Sequence, residues 1–526
     1  MHDEGTPRGR ALDRRAFLAA TGAGILAIAT ARYARPAAAA PLRPLAETAA
    51  SPFTLGVASG DPLPNAVVIW TRLAPDPSAP DGGMPDRAVP VRWEVAADEG
   101  MRKIVRSGRA TARPSSVHTV HVDVGGLEPG RDYWYRFRAM GEATEPARTR
   151  TAPARDRLAP RMLLAQASCQ HVNQGYYTAY EDMAQHDIDL VVHLGDYIYE
   201  SSEGPVPAGR LGDPITVDDY RLRYALYKQQ PALQAMHMRA PWVVTWDDHE
   251  VENNYTSDLP EPGSTTPDRA SFLRRRAAAY RAWWEHQPVR LERPTSSDLR
   301  IYRRLGFGRL MDLHMLDTRQ YRSEQCGDGT DIGPVCDEGM TSSTVLGRKQ
   351  EQWLGRSLRA SRARWNVIGN QVVLQQWRFA PGNTIWNLDQ WDGYPAARAR
   401  MMEQLARAGG RPIVLTGDVH SSWVGTLARD LDDASSPVLG SEFVGPAISS
   451  LPSPLLASAI PTILANSPHL RWAEGEQRGW VRHEVTPNEW TAEYRLVGDG
   501  LVPGSPVATA ATFTVDADGA LHGPSA

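Results

Sequence analysis

The sequence contains few cysteines, little net charge and no long hydrophobic run beyond its N-terminal part. Three cysteines in 526 residues exclude the small disulfide-rich class of secreted proteins. A formal net charge of −4 provides no basic excess, so we expect no nucleic-acid-specific binding. No segment after residue 29 approaches the length that crosses a bilayer, so we expect no stable membrane anchor. The composition is that of a globular chain, and the length suggests two domains or more.

The N-terminal segment has the pattern of an export signal. Residues 11–29 read ALDRRAFLAATGAGILAIA, and small residues follow at 37–40. The paired arginines before Phe17-Leu18 are typical of a twin-arginine signal, although a Sec signal has the same three-part layout. The sequence therefore predicts a twin-arginine signal peptide over residues 1–40, export by the twin-arginine translocase, and a secreted or extracytoplasmic mature protein.

Export makes the cysteines informative, because thiols oxidise outside the cytoplasm. Cys326 and Cys336 lie close together in a polar stretch and are able to pair. Cys169 is then left alone, at the end of an apolar run. It is either a buried and inert thiol or a thiolate that binds a metal ion.

The first part of the mature chain has the pattern of antiparallel strands. Residues 52–150 contain alternating segments separated by Pro and Gly turns, a spacing that predicts a β-sandwich. Within them LEPGRDYWYR (127–136) resembles a turn and strand of fibronectin type III modules. The Pro- and Arg-rich stretch 148–160 lacks periodicity and indicates a linker. We therefore predict an N-terminal β-sandwich domain over residues 45–152.

The remainder of the chain alternates short apolar runs with amphipathic segments, which is typical of an α/β fold. The runs are almost continuously apolar, as expected for strands buried on both faces: RMLLAQAS (161–168), DLVVHLGD (189–196), PWVVTWDD (241–248), RWNVIGN (364–370) and RPIVLTGD (411–418). The segments 269–287 and 347–363 have helical character. Further β-rich segments at 422–430, 479–487 and 490–497 predict a second sheet stacked on the first. We predict a catalytic domain over residues 158–510 and a loose C-terminal tail over residues 511–526.

Residues able to bind metals follow each of the five apolar runs. In chain order they are Cys169; Asp196 with Tyr197 and Tyr199; Asp247 and Asp248 with His249 and Glu250; Asn370; and Asp418 with His420. Ligands bind beyond the carboxyl ends of strands in an open α/β sheet. A single Gly-Asp is usually a turn, but five such strand ends bring several carboxylates together, and these would repel one another and raise one another's pKa values. The pattern therefore predicts a multi-metal site.

The order of these motifs resembles the calcineurin-like metallophosphoesterases and, in its departures from them, the PhoD-type alkaline phosphatase/phosphodiesterase family. The departures are GDYIYE (195–200), with Tyr199 in place of an aspartate, WDDHEVENNY (246–255) and GDVH (417–420). LDTRQYR (316–322), WDGYPAAR (391–398) and EFVGPAISS (442–450) complete the pattern. The resemblance covers nearly the whole mature chain. It implies an α/β fold, a four-layer α/β/β/α sandwich preceded by an N-terminal fibronectin-like β-sandwich.

The resemblance further implies a site with one Fe3+ ion and one or more Ca2+ ions. Thiolate, phenolate and imidazole suit Fe3+, and carboxylate and amide oxygens suit Ca2+. The expected iron ligands are Cys169, Asp196, Tyr199 and His420, with Asp196 bridging to calcium. The expected calcium ligands are Asp248, Asp418 and Asn370, with Asn253 or Asn254 as further candidates.

The implied reaction is the hydrolysis of phosphomonoesters and phosphodiesters by a metal-activated hydroxide, for phosphate scavenging. We expect Asp248, His249 and Arg319 to serve the chemistry. His249 either donates a proton to the leaving alcohol or orients Asp248. Arg319 or Arg322 either forks onto the phosphate or pairs with Asp317.

Two alternatives remain open at this point. The same metal site is compatible with a phospholipase D-type phosphodiesterase acting on phospholipid headgroups, with loops 200–220 and 324–346 shaping the choice. The second alternative is a binding protein whose metal cluster is structural. Chelation distinguishes the two, because it would unfold such a binding protein but would only inactivate an enzyme.

Overall fold

The computed structural model describes residues 51–327, 330–380, 382, 385–431, 433 and 435–525. The predicted signal peptide over residues 1–40 lies outside the described residues. The helices are α1 Thr178–Met183, α2 Val217–Lys228, α3 Pro231–His237, α4 Arg269–His286, α5 Asp337–Thr341, α6 Gly347–Ala360, α7 Pro395–Leu405 and α8 Pro454–Asn466. Among them, none is both long and apolar enough to cross a membrane.

The strands are numbered in chain order. They are β1 Val57–Leu63, β2 Ala66–Arg72, β3 Val89–Ala96, β4 Ile104–Ala112, β5 Thr119–Gly125, β6 Asp132–Ala139, β7 Glu142–Ala143, β8 Ala147–Arg150, β9 Met162–Ala167, β10 Leu190–His193, β11 Trp242–Val244, β12 Arg303–Phe307, β13 Met311–Met315, β14 Ile332–Gly333, β15 Trp365–Gly369, β16 Trp386–Asn387, β17 Arg411–Thr416, β18 Ser422–Ala428, β19 Val438–Val444, β20 Leu470–Glu474, β21 Gly479–Val485, β22 Glu489–Val497, β23 Val507–Asp516 and β24 Leu521–Ser525.

Two large sheets form the centre of the fold. The first has ten strands in the order β24-β23-β22-β21-β9-β10-β11-β1-β2-β5, and the second has seven in the order β12-β13-β15-β17-β19-β18-β20. Strands β9, β10 and β11 run parallel in the first sheet, and β13, β15, β17 and β19 run parallel in the second. The metal-ligand candidates directly follow these parallel strands. The candidate site therefore lies at the carboxyl ends of the strands.

The hydrophobic cores explain the stacking of these sheets. One core lies between the sheets and contains Leu164 and Val192 of the first and Leu313, Val367 and Leu415 of the second. A second core packs the helices α1 to α4 against the first sheet, and a third packs α6 and α7 against the second sheet. The strands β9, β10 and β15 are buried along their whole length, which is why their sequences are almost continuously apolar. The layers therefore run helices, sheet, sheet, helices.

The N-terminal region is an all-antiparallel β structure with its own core, and one of its strands also joins the first large sheet. A five-stranded sheet of β3, β4, β6, β7 and β8 packs on β1, β2 and β5 through a separate hydrophobic core. Strand β1 also pairs with β11, with Gly60 opposite Trp242. A Cβ atom at position 60 would lie 2.6 Å from the carbonyl oxygen of Trp242. Only glycine therefore allows β1 to come this close to β11. The continuous burial of β2 fits a strand covered on both faces.

The predicted second sheet stacked on the first is present and contains β18, but two other expectations about the sheets are wrong. Strands β21 and β22 extend the first sheet rather than a second one, and the segment expected to be a loose tail forms most of β23 and β24 at its edge. The C-terminal strands are held because Ala511, Phe513 and Val515 alternate into the core between the sheets. The described residues form one compact unit, and the predicted domain bounds stay predictions.

Candidate active site

The predicted metal ligands gather where the parallel strands of both sheets end. Three groups of side chains have ligand atoms within 4.8 Å of one another: Cys169, Asp196 and His420; Asp196, Asp248 and His249; and Asp247, Asp248 and Asp418. Asp196 and Asp248 each belong to two groups, so the three form one continuous cluster. It draws Cys169, Asp196 and Asp248 from the first sheet and Asp418 and His420 from the second.

The backbone at this cluster adopts the left-handed conformation at four of the candidate ligands. The φ angles of Cys169, Asp196, Asp418 and His420 are 58°, 55°, 68° and 52°. Such conformations cost about 1–3 kcal/mol each for residues other than glycine and concentrate at functional sites. Hydrogen bonds between the turns hold them, for example from the Cys169 amide to the Gly195 carbonyl at 3.2 Å.

Glu250 ties two of these turns together. Its carboxylate accepts hydrogen bonds from the backbone amides of Asp196 at 3.0 Å, Tyr197 at 2.7 Å and Asp247 at 2.8 Å. This buried side chain therefore fixes the relative positions of the turns after β10 and β11. The sequence placed Glu250 beyond a strand end but gave no sign of this role.

Tyr199 adds a phenol to the first group, beside the Cys169 thiol and the neutral imidazole of His420. The Tyr199 hydroxyl donates to Asp196 Oδ2 at 3.0 Å and lies 3.0 Å from His420 Nε2. His420 Nδ1 donates to the Leu451 carbonyl at 2.8 Å, and burial lowers the pKa of His420 to about 4. The ring is therefore neutral, with its lone pair on Nε2 facing Tyr199. Burial, and then the charge of Asp196, raise the pKa of the Cys169 thiol well above its usual value.

The third group surrounds the buried guanidinium of Arg319. Arg319 Nε donates to Asp247 Oδ1 at 2.5 Å, and Nη2 donates to Asp418 Oδ1 at 3.1 Å. Both terminal nitrogens bind the carboxylate of Asp389, at 2.6 and 2.9 Å. Asp248 lies 3.3 Å from Nη2. Arg319 therefore lies between the carboxylates of Asp247, Asp248 and Asp418 and contacts all three.

The pKa values of Asp247, Asp248 and Asp418 differ because few positively charged groups lie close to these three carboxylates. Burial raises the pKa of Asp247 well above its usual value, and burial and then Asp389 raise that of Asp418 to about 7. Burial opposes ionisation of Asp248 as well, but Arg319 and His249 outweigh it and lower its pKa to about 2. Without further positive charge, the carboxylates cannot all ionise.

Three buried carboxylate oxygens of the cluster lack any hydrogen-bond partner among the described residues. They are Oδ1 of Asp196, Oδ2 of Asp247 and Oδ1 of Asp248. Unpartnered buried carboxylate oxygens are costly, and among the described residues the guanidinium of Arg319 contacts the cluster's aspartates. The donor set thus fits cations: hard carboxylate oxygens on one side and sulfur, phenol and imidazole on the other.

His249 is oriented by a carboxylate that sequence reasoning missed. Its Nδ1 lies 2.7 Å from Glu200 Oε2, and its ring packs on Tyr199 with centroids 4.2 Å apart. Burial opposes protonation of His249, but Glu200 and then Asp248 raise its pKa well above its usual value. Because Glu200 holds Nδ1, Nε2 is the nitrogen that is left for the site. The only sequence signal for Glu200 was its place at the end of GDYIYE.

Asn370, predicted as a calcium ligand, is engaged elsewhere. Its amide nitrogen donates to the Val372 carbonyl and to Thr416 Oγ1, and its oxygen accepts from Trp391 Nε1 at 3.2 Å. It braces the ends of β15 and β17, because both polar atoms of the buried side chain need partners. The side chain of Asn253 donates to Glu261 at 2.7 Å. The backbone amide of Asn254 caps Asp248 Oδ2 at 2.7 Å.

The expectations for the two arginines also differ from the structure. Neither guanidinium pairs with Asp317, whose carboxylate accepts from backbone amides and from Gln320. Arg319 is occupied by aspartates rather than open toward a phosphate, and Arg322 Nη1 binds Asp389 at 2.7 Å. Asp389 thus organises both arginines, and the sequence offered no signal for it, because it lies in an irregular loop. The predicted disulfide between Cys326 and Cys336 is present.

Comparisons with known proteins agree with this geometry. The family model described as "PhoD-like phosphatase" matches residues 164–494, and "PhoD-like phosphatase, N-terminal domain" matches residues 37–153. The chain is 45% identical over 478 residues to "Alkaline phosphatase D" of Bacillus subtilis (strain 168), covering 89% of this chain and 81% of that protein. A solved structure described as "Structure of PhoD" has a TM-score of 0.85 at 44% identity, covering 90% of this chain and 92% of the other.

Proposed function

The chain belongs to the PhoD-like phosphatase family and is an alkaline phosphatase D-like phosphoric ester hydrolase, and from this premise we propose that it is a secreted, metal-dependent enzyme that hydrolyses phosphomonoesters and phosphodiesters to scavenge phosphate. Secretion rests on the twin-arginine pattern within residues 1–40. The alternative of a binding protein with a structural cluster falls away, because the chain is a hydrolase.

The observation that carries the metal dependence is the set of buried oxygens of Asp196, Asp247 and Asp248 that accept no hydrogen bond from the described residues. The Asp248 oxygen among them lies 3.3 Å from Arg319 Nη2 without a hydrogen bond. Cys169, Asp196, Tyr199 and His420 would hold Fe3+, because their donor atoms suit that ion. Asp248, Asp418 and the shared Asp196 would hold Ca2+. Bound cations supply charge neutralisation for the phosphoryl group and lower the pKa of water.

The protein's own groups would position and protonate the reactants. Glu200 holds Nδ1 of His249 at 2.7 Å, so that Nε2 donates a proton to the leaving alcohol oxygen. Arg319 keeps Asp247 and Asp418 at fixed positions through its hydrogen bonds. The neutral His420 ring and the Tyr199 phenol complete a rigid wall on the thiol side of the site.

A second candidate, a phospholipase D-type phosphodiesterase with the same metal site, is favoured by one surface feature. The side chains of Leu451 and Leu455 are 41% and 56% exposed, and the Leu451 carbonyl holds His420. An apolar rim beside the site suits an ester with an apolar body.

An assay with three substrates tests both candidates. The mature protein should hydrolyse p-nitrophenyl phosphate and bis(p-nitrophenyl) phosphate, and Asp196→Asn should abolish both activities while the fold persists. Release of choline from phosphatidylcholine at a higher efficiency than either aryl ester would instead favour the second candidate. No hydrolysis of any of the three by the metal-loaded protein would refute the proposed function.

A further inference from the structure

A disulfide closes a surface loop beside the active site. The disulfide loop consists here of residues 326–327 and 330–336, joined at its ends by the bond between Cys326 and Cys336. Most of its described residues are exposed, so core packing contributes little to its position. The covalent closure and its hydrogen bonds are what hold it.

The backbone of the loop is attached to the strand that leads into Asp389. Strand β14 of the loop pairs antiparallel with β16, with Ile332 opposite Asn387. The next amide, that of Leu388, donates to the Asp331 carbonyl at 2.7 Å. Asp389 follows at once and binds Arg319 and Arg322. One anchor of the loop therefore lies one residue from a side chain that contacts the site.

The second anchor is the side chain of Asp331. Its Oδ1 accepts a hydrogen bond from Asn254 Nδ2 at 2.8 Å. The backbone amide of Asn254 donates to Asp248 Oδ2 at 2.7 Å, and Asn254 itself has a left-handed φ of 49°. Asparagine tolerates this conformation better than most residues do, but nothing in its own backbone preference selects it. The bond from Asp331 holds the side chain of this residue.

We infer that Asp331 is a positioning residue for the reaction, held by the disulfide of its loop, which orients Asn254 and through it Asp248. This inference rests on the proposed function, since it assigns Asp248 to the calcium site. The disulfide thereby contributes to turnover and not only to the stability of a surface loop. Asp331 acts through Asn254 and does not touch the substrate.

Single substitutions test the side-chain step. Asp331→Ala should lower kcat about tenfold, as loss of a group that orients a metal ligand commonly does, with KM little changed. It should also weaken binding of calcium to the metal-stripped protein, measured by titration of tryptophan fluorescence. Asp331→Asn keeps an oxygen that accepts from Asn254 Nδ2 and should retain most of kcat. Asp337→Ala removes another carboxylate from the same region, leaves the Asp331–Asn254 bond in place and serves as the charge control.

A double-mutant cycle tests whether the disulfide acts through Asp331. The Cys326→Ser/Cys336→Ser protein should lose about tenfold in kcat, and combining it with Asp331→Ala should cost no more than either change alone. Serine variants are used because a thiol reducing agent would also reduce or bind a ferric ion in the site. Multiplied losses, about a hundredfold together, would overturn the inference, as would an Asp331→Ala protein with wild-type kcat and calcium affinity. If the serine variant does not fold, the comparison of Asp331→Ala with Asp331→Asn still decides. An inactive wild type would refute the proposed function instead.

Discussion

Replacing Arg319 with methionine should destabilise the metal-free protein and should do so much less when calcium is present. The guanidinium is fully buried and contacts Asp247, Asp248, Asp389 and Asp418. The substitution keeps much of the side-chain volume but removes the charge that these carboxylates share. They would then have to repel one another or take up protons.

The size of the effect follows from the burial of the pairs. Removing one partner of a buried ion pair costs about 3–5 kcal/mol. Roughly 480 folded residues have an unfolding entropy of about 1 kcal/mol/K, so the melting temperature should fall by about 3–5 °C. Bound calcium supplies positive charge to the same carboxylates, so the difference should shrink in its presence.

Thermal unfolding followed by tryptophan fluorescence at pH 8, with EGTA or with excess calcium, measures both effects. Arg319→Lys is the matched control, because it keeps the charge but loses the fork that binds Asp389, and it should fall between the wild type and the methionine variant. The electrostatic reasoning fails if the metal-free methionine variant melts within about 1 °C of the wild type, or if calcium leaves the difference unchanged.

Three further changes probe the metal ligands. Cys169→Ser should lose bound iron and most of the aryl phosphatase activity while the disulfide persists; wild-type turnover would contradict a thiolate ligand. Tyr199→Phe removes the hydroxyl bonded to Asp196 and His420, should cost about 1 kcal/mol of stability, and should abolish any visible phenolate-to-iron absorption; a coloured variant would exclude Tyr199 as the ligand. Treatment with EGTA should remove activity without changing the circular dichroism spectrum, and unfolding on chelation would mean that the cations are structural.

The strands that carry the site could be predicted because their burial left a direct mark on the sequence. Strands β9, β10, β15 and β17 are apolar along almost their whole length, and each ends in a turn with a polar residue. The assignment of strands to sheets could not be predicted, since strands of either sheet have the same pattern. The pairing of β1 with β11 depends on the small Gly60, a long-range requirement that no local pattern reports.

The ligand candidates were found more readily than the groups that organise them. Asp196, Asp248, Asp418 and His420 follow strands directly, so strand prediction brought them together. Glu200 and Asp389 act from irregular segments, and their partners are distant in the chain, as with Asp389 and Arg319. Asn370 differs from these residues: it follows a strand as a ligand would, but its side chain bonds the indole of Trp391 and the Thr416 hydroxyl, and its role as a calcium ligand stays a prediction.

The central claim is that the buried cluster around Asp196 holds iron and calcium and that turnover depends on them. Elemental analysis of the exported protein, purified without added metal and assayed with p-nitrophenyl phosphate on the same sample, tests it most directly, with Asp196→Asn as the comparison. The account predicts about one iron per chain together with calcium, and loss of both metal and activity in the variant. An active wild-type protein with no bound metal, or with zinc or manganese in place of iron, would contradict it.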